Sequence, residues 1–225
     1  MPGIGANLEA VQNRIQQACD HRPGITLISV SKTKPIQDLM EAYQAGVRIF
    51  GENRVQEARD KRPQLPDDAE IHLIGPLQKN KAKYCPGLFT WIHSIHRLDV
   101  ALELEKRCAQ KGSQIQILIQ MNLSGEESKS GLTGQAELQE LSDQLIELPH
   151  LKLRGLMTMG DPNLSPEENR PLFRGLKELL LQEQARLMDD DFDQLSMGMS
   201  GDFEAALKEG ATMIRVGSAI FGRRS

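Results

Sequence analysis

Apolar residues along this chain follow two different periods, and the alternation between them is its main signal. Leu8, Val11, Ile15 and Ala18 recur at helical spacing, so residues 1–22 predict an opening amphipathic helix. From Ile25 onward, short apolar runs alternate with longer helical patterns. The runs are ITLISVS (25–31), VRIFG (47–51), EIHLIG (70–75), TWIHSI (90–95), IQILIQMN (115–122), LKLRGLMTM (151–159), DQLSM (193–197) and MIRVGS (213–218). Between them lie stretches such as IQDLMEAYQAG, RLDVALELEKRCAQKG and QAELQELSDQLIEL, which carry the helical period. Such alternation implies parallel strands joined by helical crossovers. Eight runs in 225 residues predict one α/β domain over 1–225, a single (β/α)8 TIM barrel across 25–222 with an extra N-terminal helix. A doubly wound open sheet is the alternative, but no GxGxxG follows the first run to support it. GDPNLSPEENRP (160–171) reads as a loop after the sixth strand rather than a domain boundary.

Composition narrows the class. The chain is 39% hydrophobic but only 4% aromatic, so its core is aliphatic. A net charge of −4 argues against a nucleic-acid partner, and the short basic clusters at Lys79, Lys81 and Lys83 and at Arg223 and Arg224 read as solvated surface. The three cysteines, Cys19, Cys85 and Cys108, are scattered and contain no CxxC, which fits a reducing cytoplasm better than a disulfide framework. The N-terminus lacks the apolar centre of a signal peptide, and no window has the length and apolarity of a membrane span. A cytoplasmic protein without a membrane or nucleic-acid partner is expected, with a monomer as the default.

In a barrel the chemistry sits at the C-terminal ends of the strands. Parity places Ile28, Val30 and Lys32 on the interior face of the first strand, with Ser29 and Ser31 on the other. Lys32 then emerges at the mouth, where apolar surroundings favour a neutral, nucleophilic amine. Lys34 lies past the strand, before Pro35, which is expected to start a helix. Taken alone, Lys32 reads as a solvated strand end. The far end of the chain reverses that reading. After the seventh strand, Gly198, Ser200 and Gly201 make a tight turn, and the eighth strand ends in Gly217 and Ser218. Loops seven and eight are the usual phosphate site of this fold, and closure sets the eighth strand beside the first. A lysine nucleophile beside a phosphate cradle points to pyridoxal 5'-phosphate (PLP) or to a phosphorylated sugar held by an aldolase. Arg215 shares parity with Gly217 and suits either a phosphate or the pyridine nitrogen of PLP, where a fixed cation disfavours protonation. His93 and His96 fall on opposite faces of their strand, so no metal site is expected. Glu126 and Glu127 beside Lys129 read as a solvated loop, with an accessory role open to Lys129.

These residues sit in motifs that resemble the pyridoxal phosphate homeostasis protein family. The motifs are SVSKTKP, FGENRVQE (50–57), HLIGPLQKNK (72–81), SKSGL (128–132), RGLMTMG (154–160), LSMGMSGDFEAAL (195–207) and RVGSAIFG (215–222), so the resemblance runs from Ile25 to the end. It implies a barrel like the N-terminal domain of alanine racemase, holding PLP as an internal aldimine. Carried over by motif, Lys32 is the aldimine lysine, and Ser200, Gly217 and Ser218 form the phosphate cradle. Arg215 partners the pyridine nitrogen, and Asn53 lines the pocket. Ser218 stands where some relatives carry Thr, which keeps the hydroxyl. The chain ends just past the last barrel strand, without the second domain that supplies a tyrosine acid in alanine racemase-like enzymes. Tyr43 and Tyr84 are not at strand ends. The expected role is therefore PLP (vitamin B6) homeostasis and amino-acid/keto-acid balance without robust catalysis, with PLP-dependent apoenzymes as recipients. A PLP-dependent racemase or decarboxylase, and an aldolase working without PLP, are the competing readings.

Overall fold

Short parallel strands that bury both faces need a hydrogen-bonded neighbour on each edge, and closing the sheet provides one for all of them. The computed structural model, which describes residues 3–124 and 130–222, has this closure. Its strands are β1 (Thr26–Val30), β2 (Ile49–Glu52), β3 (Glu70–Leu73), β4 (Trp91–Ile95), β5 (Ile115–Gln120), β6 (Leu151–Met157), β7 (Gln194–Met199) and β8 (Met213–Val216). They are parallel and ordered in sequence around a closed barrel, and the seam pairs Ile28 with Arg215 and Ser29 with Val216. The architecture is the expected (β/α)8 barrel.

All eight expected strands are present, with ends shifted by a few residues. The second starts at Ile49 rather than Val47, because the Val47 N–H still bonds the Ala42 carbonyl in the preceding turn. The seventh runs on to Met199, into the expected loop. The β5–β6 ladder shifts register between Ile117 and Leu118, opposite Gly155. Gly155 has φ +148°, and a Cβ there would lie 2.0 Å from the Gln194 carbonyl oxygen, so no other residue fits this bulge.

Outside the barrel lie α1 (Ile4–Ala18), α2 (Ile36–Gln44), α3 (Val55–Lys61), α4 (Leu98–Lys111), α5 (Gln135–Leu145), α6 (Pro166–Leu187), α7 (Phe203–Lys208) and α8 (Ser218–Phe221). A 3-10 helix, Lys79–Tyr84, takes the crossover position after β3. Pro35 is the N-cap of α2 rather than its first helical residue. The crossover helix after β8 has only four residues, too few to cover the seam. The opening helix does that work, burying Leu8, Val11 and Ile15 as it packs on α2, α7 and α8. Two long-range links fasten it: Asn7 Nδ2 donates to the Ile220 carbonyl at 3.0 Å, and Arg14 forms a two-pronged pair with Glu204. Among the described residues no helix is long and apolar enough to cross a membrane.

Candidate functional site

Parity along each strand decides what the barrel interior holds. Ile28, Leu118, Met157 and Met213 form its apolar part, joined by Ile49, Ile74, Trp91 and Met159. Toward the C-terminal ends of β1, β7 and β8 the lining turns polar and opens into a cavity of about 330 Å³. Lys32, Asn53, Ser200, Arg215, Gly217 and Ser218 all line it, so the structure brings every predicted site residue to one pocket.

Each is placed by its own stretch of chain. Lys32 follows β1 and is half-buried at the mouth. Ser200 opens the turn after β7, and its Oγ accepts from the Gly217 N–H at 3.1 Å and the Ala219 N–H at 3.4 Å. The two loops are thus already joined, with main-chain donors and two hydroxyls converging on one corner. A Cβ on Gly217 would press on β1, 3.2 Å from the Val30 oxygen and 3.3 Å from its Cβ, so a larger residue must shift the seam by a few tenths of an ångström. Asn53 Oδ1 is buried in the wall without a hydrogen-bond partner. A ligand carrying a hydroxyl would satisfy it. Lys34, half-buried, lines the same cavity and donates to the Phe221 carbonyl at 2.9 Å.

Arg215 forms the floor. It is only 4% exposed, and its Nη1 and Nη2 donate to Ser196 Oγ at 2.5 Å and to the Thr158 carbonyl at 2.8 Å. Burial lowers the guanidinium to about 10, partly offset by Asp202, so it stays charged at neutral pH. The contacts continue down the barrel axis. Ser196 Oγ lies 2.8 Å from His93 Nδ1, His93 Nε2 lies 3.1 Å from His72 Nδ1, and His72 Nε2 faces Glu70 Oε2 at 3.6 Å. Ser196 Oγ accepts from the guanidinium, which can only donate, and so has its own O–H for His93. With Ser196 donating to His93 and His93 to His72, the His72 Nε2 proton faces the Glu70 carboxylate across 3.6 Å, beyond hydrogen-bond length. Burial holds both imidazoles below their usual range, His93 well below it with help from His72 and Arg215. Both rings are neutral links between a cation at the mouth and an anion at the opposite rim.

Ser196 and Arg215 both fall among the strand ends where the sequence places the site, but their link through His93 and His72 to Glu70 is not visible in the sequence. His93 had been weighed only with His96, and the two do diverge: His93 points inward, while His96 lies past the strand with Nδ1 on the Ser94 carbonyl. His72 carried a signal that went unread, since it shares the interior parity of Ile74 two residues on. Among the described residues no group of His, Cys, Asp and Glu could hold a metal ion. Glu126, Glu127, Lys129, Arg223 and Arg224 lie outside the described residues.

Comparison with known proteins agrees in fold and sequence. The family "Alanine racemase, N-terminal domain" matches residues 6–225. The pyridoxal phosphate homeostasis protein of Vibrio alginolyticus is 42% identical over 233 residues, covering 100% of this chain and 99% of that relative. Among solved structures, PipY of Synechococcus elongatus PCC7942 without PLP aligns with TM-score 0.90 at 36% identity, covering 97% of this chain and 100% of PipY. The same protein with PLP bound aligns with TM-score 0.87 over the same shares.

Proposed function

Since the chain belongs to the pyridoxal phosphate homeostasis protein family, within the larger family of the alanine racemase N-terminal domain, we propose that it binds PLP and holds it reversibly on Lys32 without robust catalysis. The observation that carries this reading is the convergence of Lys32, the Ser200–Gly217–Ser218 corner and Arg215 on one cavity. When bound, PLP offers an aldehyde that condenses with a lysine amine to a Schiff base, releasing one water and needing no redox partner. The chain's own groups have separable tasks in this reading. The Ser200 and Ser218 hydroxyls at the Gly217 corner are the donors for the phosphate, with the Gly217 and Ala219 N–H groups holding Ser200 Oγ in place. Asn53 offers an acceptor in the wall, and Arg215 presents a fixed cation to the ring.

Arg215 also argues for holding over turnover. A guanidinium held by Ser196 and Thr158 cannot accept a proton and repels one on a facing ring nitrogen, which weakens the ring as an electron sink. Racemisation further needs an acid on the face opposite the lysine. Tyr43 instead donates to Asp68, Tyr84 lies under Arg59, and neither lines the cavity. A PLP-dependent racemase or decarboxylase is thus the weaker reading. Thr33, Gly201 and Ser218 at the rim are exposed, which suits passing the cofactor to apoenzymes.

Purified protein mixed with PLP should develop a visible absorbance band that Lys32→Ala abolishes, and borohydride should fix the cofactor mass to the peptide carrying Lys32. Wild-type protein that takes up no PLP sinks the proposal. Steady turnover of an L-amino acid by the loaded protein would restore the racemase reading.

A further inference from the structure

The motifs SVSKTKP and FGENRVQE supply Lys32 and Asn53 to the cavity, yet their buried Ser31 and Glu52 and half-buried Glu57 do not line it. They meet behind Lys32, around a second lysine. Lys61 Nζ donates to the Ser31 carbonyl at 2.8 Å, to Glu52 Oε1 at 2.8 Å and to Glu57 Oε1 at 2.6 Å, so all three of its hydrogens are used. Glu52 Oε1 also accepts from Ser31 Oγ at 2.6 Å, and Glu57 Oε1 accepts from the Thr33 N–H at 2.5 Å. Lys61 is 8% and Glu52 1% exposed.

Two features make this more than packing. A buried ion pair of this kind gives little net stability over an apolar cluster of equal volume. The cluster also grips both residues flanking Lys32, and one of them is strained: Thr33 has φ +64°, a left-handed conformation that a β-branched residue rarely adopts. The turn it makes, closed by the Lys34 N–H on the Ser31 carbonyl at 3.0 Å, sends both Lys32 and Lys34 to the cavity wall.

We propose that Glu52, Glu57 and Lys61 are positioning residues, a clamp that holds the Ser31–Lys34 turn in its left-handed form so that the Lys32 amine is presented to the aldehyde. The inference rests on the reading of Lys32 given above. The clamp does not touch the cofactor, so its loss should slow covalent capture while leaving non-covalent recognition intact.

The test measures the rate of the visible band after rapid mixing with PLP. Affinity is measured separately with pyridoxine 5'-phosphate, which lacks the aldehyde, by calorimetry. The proteins are wild type, Glu57→Ala and Lys61→Met, each also in a Thr33→Gly background, with circular dichroism to check the fold. Glu57→Ala and Lys61→Met should slow capture about tenfold, below the roughly hundredfold that a full ångström of misplacement can cost, with pyridoxine 5'-phosphate affinity within about twofold of wild type. Thr33→Gly removes the left-handed penalty and should restore at least half of the lost rate in Glu57→Ala. Wild-type capture rates in both clamp variants, an equal fall in pyridoxine 5'-phosphate affinity, or no recovery with Thr33→Gly would each overturn the clamp. A wild-type protein that binds pyridoxine 5'-phosphate but never develops the band would instead overturn the Lys32 reading beneath it.

Discussion

Replacing His93 by glutamine tests the buried column through its pH dependence. Glutamine can still donate to His72, but the titrating ring is gone. In an unfolded chain an imidazole titrates near 6.5. In the fold, burial, reinforced by His72 and Arg215, holds His93 well below that. The unfolded state therefore binds the extra proton, so the His93 contribution is fully present above about pH 6.5 and is lost as pH falls below it. For an imidazole that stays neutral in the fold at pH 5, the linkage between pH 7 and pH 5 is about 2 kcal/mol. Other groups titrate in the same window. His72, held low by burial and pulled up by Glu70, acts in the same sense, whereas Glu52 and Asp202, pushed up by burial, act in the opposite one. These groups are common to both proteins and cancel in the difference. Urea unfolding at half-unit steps from pH 7 to pH 5 should show wild type losing about 2 kcal/mol more than His93→Gln, on top of a constant offset. Parallel curves would refute a neutral, buried His93 and with it the assigned polarity of the column.

Gly217→Ala should weaken PLP capture about tenfold while the barrel still folds, because the added methyl must shift the seam against Val30 by only a few tenths of an ångström; a titration of the visible band measures it. Gly155→Ala combines a positive φ with a Cβ 2.0 Å from the Gln194 oxygen, and urea unfolding should show a loss above about 3 kcal/mol or no soluble protein. Leu8→Ala should cost about 2–5 kcal/mol by the same measurement if α1 covers the seam as an integral layer, whereas a peripheral helix would give well under 1 kcal/mol.

Much of the barrel was legible because its signals are local. Parallel strands buried on both faces read as unbroken apolar runs, and those runs recur at the spacing of helical crossovers. Lys32 was legible for a related reason: Ile28 and Val30 fix the interior parity of β1, and one more step of two reaches the mouth. Ser200, Gly217 and Ser218 became readable only through closure, which makes residues far apart in sequence neighbours at the β8–β1 seam. The features that escaped depend on pairs. Ser31, Glu52, Glu57 and Lys61 are unremarkable singly, and only the folded chain gathers them against the strained turn at Thr33. The covering role of α1 was hidden because nothing in the IRVGSAIFG run announces a four-residue helix too short for its place.

The polar column follows from one constraint. A guanidinium in a barrel interior needs a counter-charge, yet a carboxylate beside it would neutralise the cation presented to the pocket. Asp202 raises Arg215 only partly against burial, and it is engaged elsewhere, accepting from the Met199 N–H at 2.6 Å. The remaining compensation is spread along Ser196, His93 and His72 to Glu70, which is exposed and already accepts from Thr90 Oγ1 at 2.9 Å. Aligned donors along this path stabilise the cation without an adjacent anion, so Arg215 keeps its charge and its orientation together. The cost is polar volume in the core between β3, β4 and β7. Trp91 packs tilted against both rings, with centroids 5.8 Å from His72 and 6.1 Å from His93, and adds to the burial that keeps the imidazoles neutral. A barrel built only for stability would fill that space with aliphatic side chains, as Ile28, Leu118, Met157 and Met213 fill the rest of the interior. The polar path through an otherwise apolar interior is therefore the mark of a core arranged around Arg215.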